Sequence, residues 1–409
     1  MSKIEQLIQQ HCPDGVEYKN VKDVISEAFW IMPSTPKFVD NSDIPYITSK
    51  NLRKRSIDFT NIKYISNDDY VTISRQRPIL ENDILIGMIG TIGEIAKVGV
   101  FDFKFYGQNM YLLRLDESII DINFFVHFFD SPFVKSKLNS VKNSSSQGYL
   151  KAEHIEKIQI PIPPLPIQQE IVTILDKFTA LEAELEAELE ARSRQYEYYR
   201  NQLLSFEDKE VEWKALGDVG EFVRGKRFVR TDMIEEGFPC IHYGEMYTHY
   251  NIYAEKSKSF INPDLAKKLR VAKYGDVIIV AAGETIEDLG KGTAWLGKED
   301  VVIHDACFTY TSDLNPKYVS YFLRTKLFHN QIKRHISSGK ISAINAKGLA
   351  QARIPVPSNE EQERIVNILD QFDALVNDIK TGLPAEIKAR RAQYEYYRKK
   401  LLTFNRVTV

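Results

Sequence analysis

The stretch from Leu165 to Phe206 is written a second time from Ser358 to Phe404, and that duplication limits this chain more than any other feature. The first copy holds QQEIVTILDKF and QYEYYRNQLLSF, the second EQERIVNILDQF and QYEYYRKKLLTF. A match over roughly forty-five residues is an internal repeat. Ile171, Ile174, Phe178, Leu181 and Leu185 follow steps of three and four, as do Ile365, Ile368, Phe372, Leu375 and Ile379. That spacing is the seam of a coiled-coil helix. Each seam follows a proline-bearing lead-in (Pro161, Pro163, Pro164 and Pro166; Pro355 and Pro357), a stiff segment suited to launching a helix. Two such helices, each about 60 Å long, pack most simply on each other. An antiparallel pairing relates the segments before them by an approximate two-fold axis. In the second copy Thr381-Gly382-Leu383-Pro384 predicts a break or kink.

The repeat reaches beyond the helices. VEYKNVKDV (Val16 to Val24) answers VEWKALGDV (Val211 to Val219), and IPYIT (Ile44 to Thr48) answers FPCIH (Phe238 to His242). NDILIG (Asn82 to Gly87) and GDVIIV (Gly275 to Val280) both read as buried strands after a turn. Short β-rich runs dominate each half, with a helix expected near Asn123 to Leu138 and another near Lys317 to Arg334. A short helix over Lys3 to Gln10 ends at Pro13 and Gly15. The fold class is α+β: two similar mixed α/β domains separated by two long antiparallel coiled-coil helices, arranged as a pseudo-two-fold internal repeat. The expected segments are an N-terminal helix at 1–15, domains at 16–157 and 207–351, and helical regions at 158–206 and 352–409. Between shared landmarks the halves diverge, as two copies of one binding domain with different targets would.

A formal charge of -2 and a pI near 6.5 exclude a uniformly basic nucleic-acid binder, so any basic surface is local. Three widely separated cysteines (Cys12, Cys240, Cys307) give neither a disulfide framework nor a zinc spacing and fit a reducing cytosol. The opening MSKIEQLIQQ is not a signal peptide, and no apolar run reaches about 18 residues. A soluble cytoplasmic protein without membrane contact is therefore expected. GMIGTIG (Gly87 to Gly93) lacks the lysine of a P-loop and the spacing of a dinucleotide turn, and reads as a backbone turn. His242 and His249 do not have metal-pair spacing. No G-x-S-x-G occurs, and the strings nearest to a methyltransferase Asn-Pro-Pro-aromatic are Asn262-Pro263-Asp264 and Asn315-Pro316-Lys317. The sequence offers no catalytic residues, no metal site and no cofactor site.

Local basic clusters are present in both halves. Lys50, Arg53, Lys54 and Arg55 follow the IPYIT strand, and Arg75 and Arg77 form a second group. Arg224, Lys226, Arg227 and Arg230 surround Gly225, while Arg324, Lys326, Lys333, Arg334 and His335 line the later helix. Lys and Arg neutralise phosphates, and Arg and Gln also read base edges, so these loops suit sequence-specific DNA binding. Polar loops before each proline segment, with Ser145 and Gln147 in one and Ser338 and Lys340 in the other, are further candidates. The QYEYYR tyrosines (Tyr196, Tyr198, Tyr199; Tyr394, Tyr396, Tyr397) are expected to pack the helix pair rather than stack on bases.

Taken together, IPIPPL, QQEIVTILDKF, QYEYYR and their second copies resemble the specificity subunits of type I restriction-modification systems, the ILDKFTAL and LLSF strings being most similar to the type IC subgroup. The resemblance spans essentially the whole chain and implies a non-catalytic subunit that binds double-stranded DNA. Each target recognition domain would read one half of a bipartite asymmetric site, and the helices would set the distance between the halves. It also implies two modification subunits, which bind S-adenosylmethionine and methylate adenine, and two restriction subunits using ATP and magnesium. By the same resemblance, base and phosphate contacts fall on the loops after Ile44-Pro45-Tyr46 and Pro239-Cys240-Ile241, the latter with His242 and Tyr243. The loops at Gln108-Asn109 and Asp305-Ala306 complete the set. Two rival readings are a coiled-coil scaffold without nucleic acid and a divergent stand-alone DNA methyltransferase.

Ala180 to Ala191 (ALEAELEAELEA) repeats every four residues, so its leucine stripe drifts across the helix surface. Glu182, Glu186 and Glu190 form one acidic row and Glu184 and Glu188 another, expected to face solvent or a partner subunit and to serve as spacer. One further Leu-Glu-Ala-Glu unit lengthens a helix by about 6 Å and turns it by about 40°, against about 3.4 Å and roughly 34° to 36° per base pair of DNA. The insertion should leave both half-sites intact and widen the undefined spacer by about one or two base pairs. Sequencing the methylated sites of the insertion variant checks this; an unchanged spacer would show that the helix is not the ruler.

Overall fold

In the computed structural model, residues 3–101, 103–141, 148–207, 210–339, 341–378 and 380–407 are described. They form two compact units, one made of Met1–Glu184 with Ile387–Val409, the other of Leu185–Glu386. The first long helix, Leu165–Ser205, contributes its N-terminal half to the first unit and its C-terminal half to the second. The second helical region is two helices, Asn359–Asn377 and Leu383–Leu401. Thr381 and Gly382 lie in the break, where Gly382 has no room for a side chain because a Cβ would come within 2.4 Å of the Ala374 carbonyl.

In the first unit an antiparallel sheet runs in the order Ile25–Ile31, Met110–Leu115, Ile84–Gly87, Ile95–Lys97. A second sheet sets Ile44–Thr48 between Lys63–Ile65, antiparallel, and Tyr106–Gln108, parallel. The second unit repeats the plan with more strands. Val277–Val280 lies between Cys307–Ser312 and Gly292–Trp295, and Phe238–Ile241 pairs in parallel with Val301–Ile303. The expected single helix near 123–138 is two helices, Ile122–Phe129 and Pro132–Val141, and its counterpart is likewise split into Pro316–Phe322 and Lys326–Ile332. Capping residues override the apolar period: Thr325 accepts from the amide of Phe328, and Pro132, lacking an amide hydrogen, suits a first helical turn.

Each domain is bound to its helix by a buried glutamine. Gln168 accepts from the Asp121 amide at 2.8 Å and donates to the Pro163 carbonyl at 2.7 Å; Gln362 does the same with Asn315 at 2.9 Å and Pro357 at 3.0 Å. In the first unit the C-terminal helix packs on the N-terminal half of the long helix. Phe178 stacks on Tyr397 at 5.3 Å while Glu182 meets Arg391, so the two helices run antiparallel there. In the second unit Phe372 stacks on Tyr199, also at 5.3 Å. Tyr196 and Tyr394 are buried, as expected for packing residues, whereas Tyr198 and Tyr396, 61% and 64% exposed, project outward instead. Of the acidic rows, Glu182 faces the C-terminal helix rather than solvent, and Glu188 and Glu190 pair with Arg192 and Arg194 on their own helix. Ile379 of the second seam lies outside the described residues.

The closure of the first unit joins distant parts of the chain. Val16 donates to the Asn405 carbonyl at 2.9 Å and the Tyr18 hydroxyl to that of Phe404 at 3.0 Å. In the second unit the equivalent step from helix to first strand, Phe206 to Glu212, is covalent.

A buried polar joint holds the first unit to its helices. Arg55 Nη1 reaches His127 Nδ1 at 2.9 Å and the Tyr394 hydroxyl at 3.0 Å, and His127 Nε2 contacts Asp176 at 2.8 Å. Guanidinium can only donate, so Nδ1 accepts, and the neutral ring carries its proton on Nε2 toward the carboxylate. Burial holds the His127 pKa below its ordinary value, and the neighbouring Arg55 and Arg398 charges act in the same direction against the Asp176 pair. In the second unit Tyr321 takes the place of the histidine and donates to Asp370 at 2.7 Å. A histidine with a depressed folded pKa stabilises the fold above its unfolded value of about 6.5 and loses that contribution as pH falls through it. Hydrogen exchange in the helix Ile122–Phe129 should therefore accelerate between pH 7.5 and 5.5 beyond the intrinsic rate change. His127→Gln should flatten that difference; equal acid sensitivity in the variant would refute the assignment.

Candidate nucleic-acid interface

One parallel strand pair in each unit, Ile44–Thr48 with Tyr106–Gln108 and Phe238–Ile241 with Val301–Ile303, brings together loops far apart in sequence. In the first unit Thr48 lies opposite Gln108 at the C-terminal ends of the pair. Ser49 donates to the carbonyl of Ile89, drawing in the GMIGTIG turn, and Ile89 bridges to Tyr149 beside the serine-rich loop. The turn is a backbone device: Gly90 and Gly93 have φ of 82° and 76°, and a Cβ on Gly87 would stand 2.1 Å from the Thr91 carbonyl. In the second unit Ile241 lies opposite Ile303, which sets His242 beside His304 with ring centroids 4.8 Å apart. Ala282–Gly283 pairs with Ser342–Ala343, the same closure made with two residues on each side.

These loops enclose a cavity of about 640 Å³ in the second unit, lined by Arg227, Arg230, His242, Tyr243, Tyr247, Glu284, Thr285, His304 and Asp305 among others. Six of the expected residues, Arg227, Arg230, His242, Tyr243, Asp305 and Ala306, meet there. Gly244 donates to Nδ1 of His242 at 3.3 Å, so that neutral ring keeps its hydrogen on Nε2 as a donor, while Nδ1 of His304 lies 3.1 Å from the Ala306 amide and 3.0 Å from the Asp305 carboxylate. Burial lowers both imidazole pKa values. Two imidazoles, two guanidinium groups and the carboxylates of Glu284 and Asp305 give the cavity both polarities needed against base edges. His242, expected as a contact, is mostly buried and caps the helix Tyr243–Thr248, leaving Tyr243 the more accessible.

Other expected residues divide between surface and scaffold. Lys50, Arg53 and Lys54 are exposed, but Arg55, in a left-handed conformation (φ 65°), turns inward to the His127 joint. Arg75 is exposed at the end of the helix Asn67–Ser74, on the rim of a groove of about 480 Å³ with Gln76, Arg77 and Met32. Arg77 is partly committed, donating to the Trp30 carbonyl at 3.2 Å. Gln108 accepts from Thr35 at 3.0 Å, and Asn109 takes a φ of 66° at the turn that follows. Arg224 donates to the Asp305 carbonyl at 2.8 Å and Lys226 to that of Lys268 at 2.9 Å, so both shape the loop beside the cavity. Arg334 is exposed and bonded to His335, and Ser338 is exposed. Arg324 is not a surface cation: it is desolvated and donates to the Asn251 and Gly292 carbonyls at 2.8 and 3.1 Å. Ser145, Gln147 and Lys340 lie outside the described residues. His304, Tyr247, Glu284 and Gln76 escaped sequence reasoning. His304 was detectable only through the pairing of VVI with FPCI, which no local pattern encodes.

The architecture is thus that of two similar α/β domains, each bound to long helical segments. A family model, "Type I restriction modification DNA specificity domain", matches residues 13–191 and again 208–389. The chain is 30% identical over 425 aligned residues to a putative type I restriction enzyme specificity subunit of Haemophilus influenzae, covering 98% of each. It is 36% identical over 289 residues, 65% of this chain and 69% of the other, to the EcoR124I/EcoR124II specificity subunit of Escherichia coli. A chain from a study of the assembly and conformational transition of a type I restriction-modification system superposes with a TM-score of 0.61 at 17% identity, covering 95% of this chain and 98% of that one. The specificity subunit from M. genitalium does so at 0.52 and 14%, covering 95% and 96%. The protein belongs to the type I restriction-modification specificity subunits, the non-catalytic DNA-recognition components of those systems.

Arg55 and Arg75 should separate on substitution. Arg55→Ala removes a partner from a buried network and should cost about 2–3 kcal/mol of first-unit stability. Arg75→Ala should leave unfolding unchanged and weaken duplex binding about tenfold. Urea unfolding and fluorescence anisotropy on the same preparations check both; the reverse pattern would exchange the two roles.

Proposed function

We propose that each unit reads one half of a bipartite DNA sequence through the edge where its parallel strand pair ends, within recognition domains at 16–157 and 207–351. The observation that carries this reading is convergence. In both units the same four connections, remote in sequence and unlike in composition, meet at one edge, whereas the glutamine bonds from domain to helix are repeated almost atom for atom. Variable chemistry on a repeated frame suits two readers of different half-sites. In the second unit Tyr243, His304, Glu284 and Arg227 face the bases, with Arg230 toward phosphate; in the first, Arg75, Gln76 and Lys50 take those parts. The helical regions hold two modification subunits, and two restriction subunits complete the cytoplasmic nuclease. Among the described residues, no helix is long and apolar enough to cross a membrane.

Co-expression with the modification subunit and sequencing of methylated adenines tests the reading. Tyr243→Ala with Arg227→Ala should relax or abolish the second half-site while the first is kept, and binding should fall steeply with salt. Simultaneous loss of specificity in both halves, or salt-independent binding, would overturn it.

A further inference from the structure

Where domain meets helix the two units largely repeat each other, which makes one departure informative. In the second unit Thr325 caps the helix Lys326–Ile332; the Lys326 ammonium lies 2.9 Å from Glu197 and its amide donates to Asn201 at 3.1 Å. These contacts lace that helix to the QYEYYR turn of the long helix. In the first unit Ser131 stands where Thr325 does, accepting from Val134 at 3.4 Å, and Pro132 stands where Lys326 does. Proline has neither the charge nor the amide hydrogen, Lys399 replaces Asn201, and Glu395 is turned to Arg398 at 2.6 Å. The lacing is gone.

In its place a groove of about 880 Å³ opens between the helix Pro132–Val141 and the C-terminal helix. Its apolar walls include Phe128, Leu402 and two rings left in the open, Phe133 and Tyr396, each 64% exposed. Around them stand Lys137, Lys399 and Arg406, while the one lining carboxylate, Glu395, is neutralised by Arg398. Exposed aromatics within a cationic rim match an amphipathic helix that carries acidic side chains.

We propose that this groove takes an acidic amphipathic helix of one modification subunit, with Phe133 as an aromatic anchor where the second unit has the less exposed, laced-down Leu327, so that the two modification subunits are held unequally. This rests on the reading that the chain assembles with such subunits.

The full chain co-expressed with its modification subunit tests it, with complexes resolved by native mass spectrometry over a dilution series. The wild type should lose its two modification subunits at dissociation constants at least about tenfold apart, as removal of a hot-spot aromatic implies for one site. Phe133→Asp with Lys399→Glu should weaken the tighter step about tenfold or more and bring the two together. Leu327→Asp, the equivalent position in the second unit, should change neither step more than about twofold. Thermal unfolding of the free variants, expected to match the wild type because these side chains are exposed, separates lost docking from lost folding. Equal steps in the wild type, or equal effects of the Phe133 and Leu327 variants, would overturn the proposal. A loss of duplex affinity with unchanged assembly would overturn it in favour of a DNA surface. Failure of the wild type to hold any modification subunit would refute the underlying reading instead.

Discussion

Much of this structure depends on a carboxylate near the start of each helical region. Asp176 and Asp370 occupy equivalent places in the two copies, and each receives a hydrogen bond from the domain helix, from His127 in one unit and Tyr321 in the other. The aromatic carrying the bond differs, yet the distance hardly does, 2.8 against 2.7 Å. Such a bond fixes rotation as well as distance, because a half-buried carboxylate accepts from few directions. Loops that read DNA gain precision when their supporting elements have one orientation, and a buried glutamine adds a second point of attachment beside each carboxylate. The first unit draws the loop after Ile44–Thr48 into the same network through Arg55, which ties that loop and the helices to one set of charges.

The proposed reading edge follows a general rule for parallel strands: loops at their C-terminal ends are free of the ladder and gather at one place. Most strand pairs in both units are antiparallel, yet one parallel pair in each is enough to set His242 against His304 and Thr48 against Gln108. Buried backbone pairing does the positioning, which leaves the side chains of the loops free to vary. The longer connection in the second unit, from Ala281 to Lys291, extends over its cavity, whereas Met88 to Glu94 in the first is drawn tight by glycines. The two edges therefore present different depths as well as different residues.

The architecture was legible in the sequence because duplication and seam spacing are redundant signals, repeated over dozens of residues. The helix break at Gly382 was legible for the same reason: one copy carried a glycine and a proline that the other lacked. Short helices were less so, since Phe124 to Phe129 continue the apolar period toward Val134 and Leu138 while a single capping serine or threonine decides where the turn falls. Functional side chains were hardest. Arg55 and Lys54 are neighbours in one basic cluster, but consecutive left-handed residues send one inward and leave the other at the surface. Arg324 likewise counted as a surface cation until packing placed its guanidinium on two buried carbonyls. Charge is visible in a sequence, whereas the direction in which it points is a tertiary property.

The seam at Val16 and Asn405 changes how the repeat is to be understood. Each unit takes its domain and one helix segment from one copy and its second helix segment from the other, so neither copy contains a complete unit. A chain that stopped near residue 206 would hold every kind of part once, and would satisfy its own first strand only by exchanging helix segments with an identical molecule. Carrying both copies in one chain lets their loops differ, whereas a two-fold homodimer would be held to identical ones.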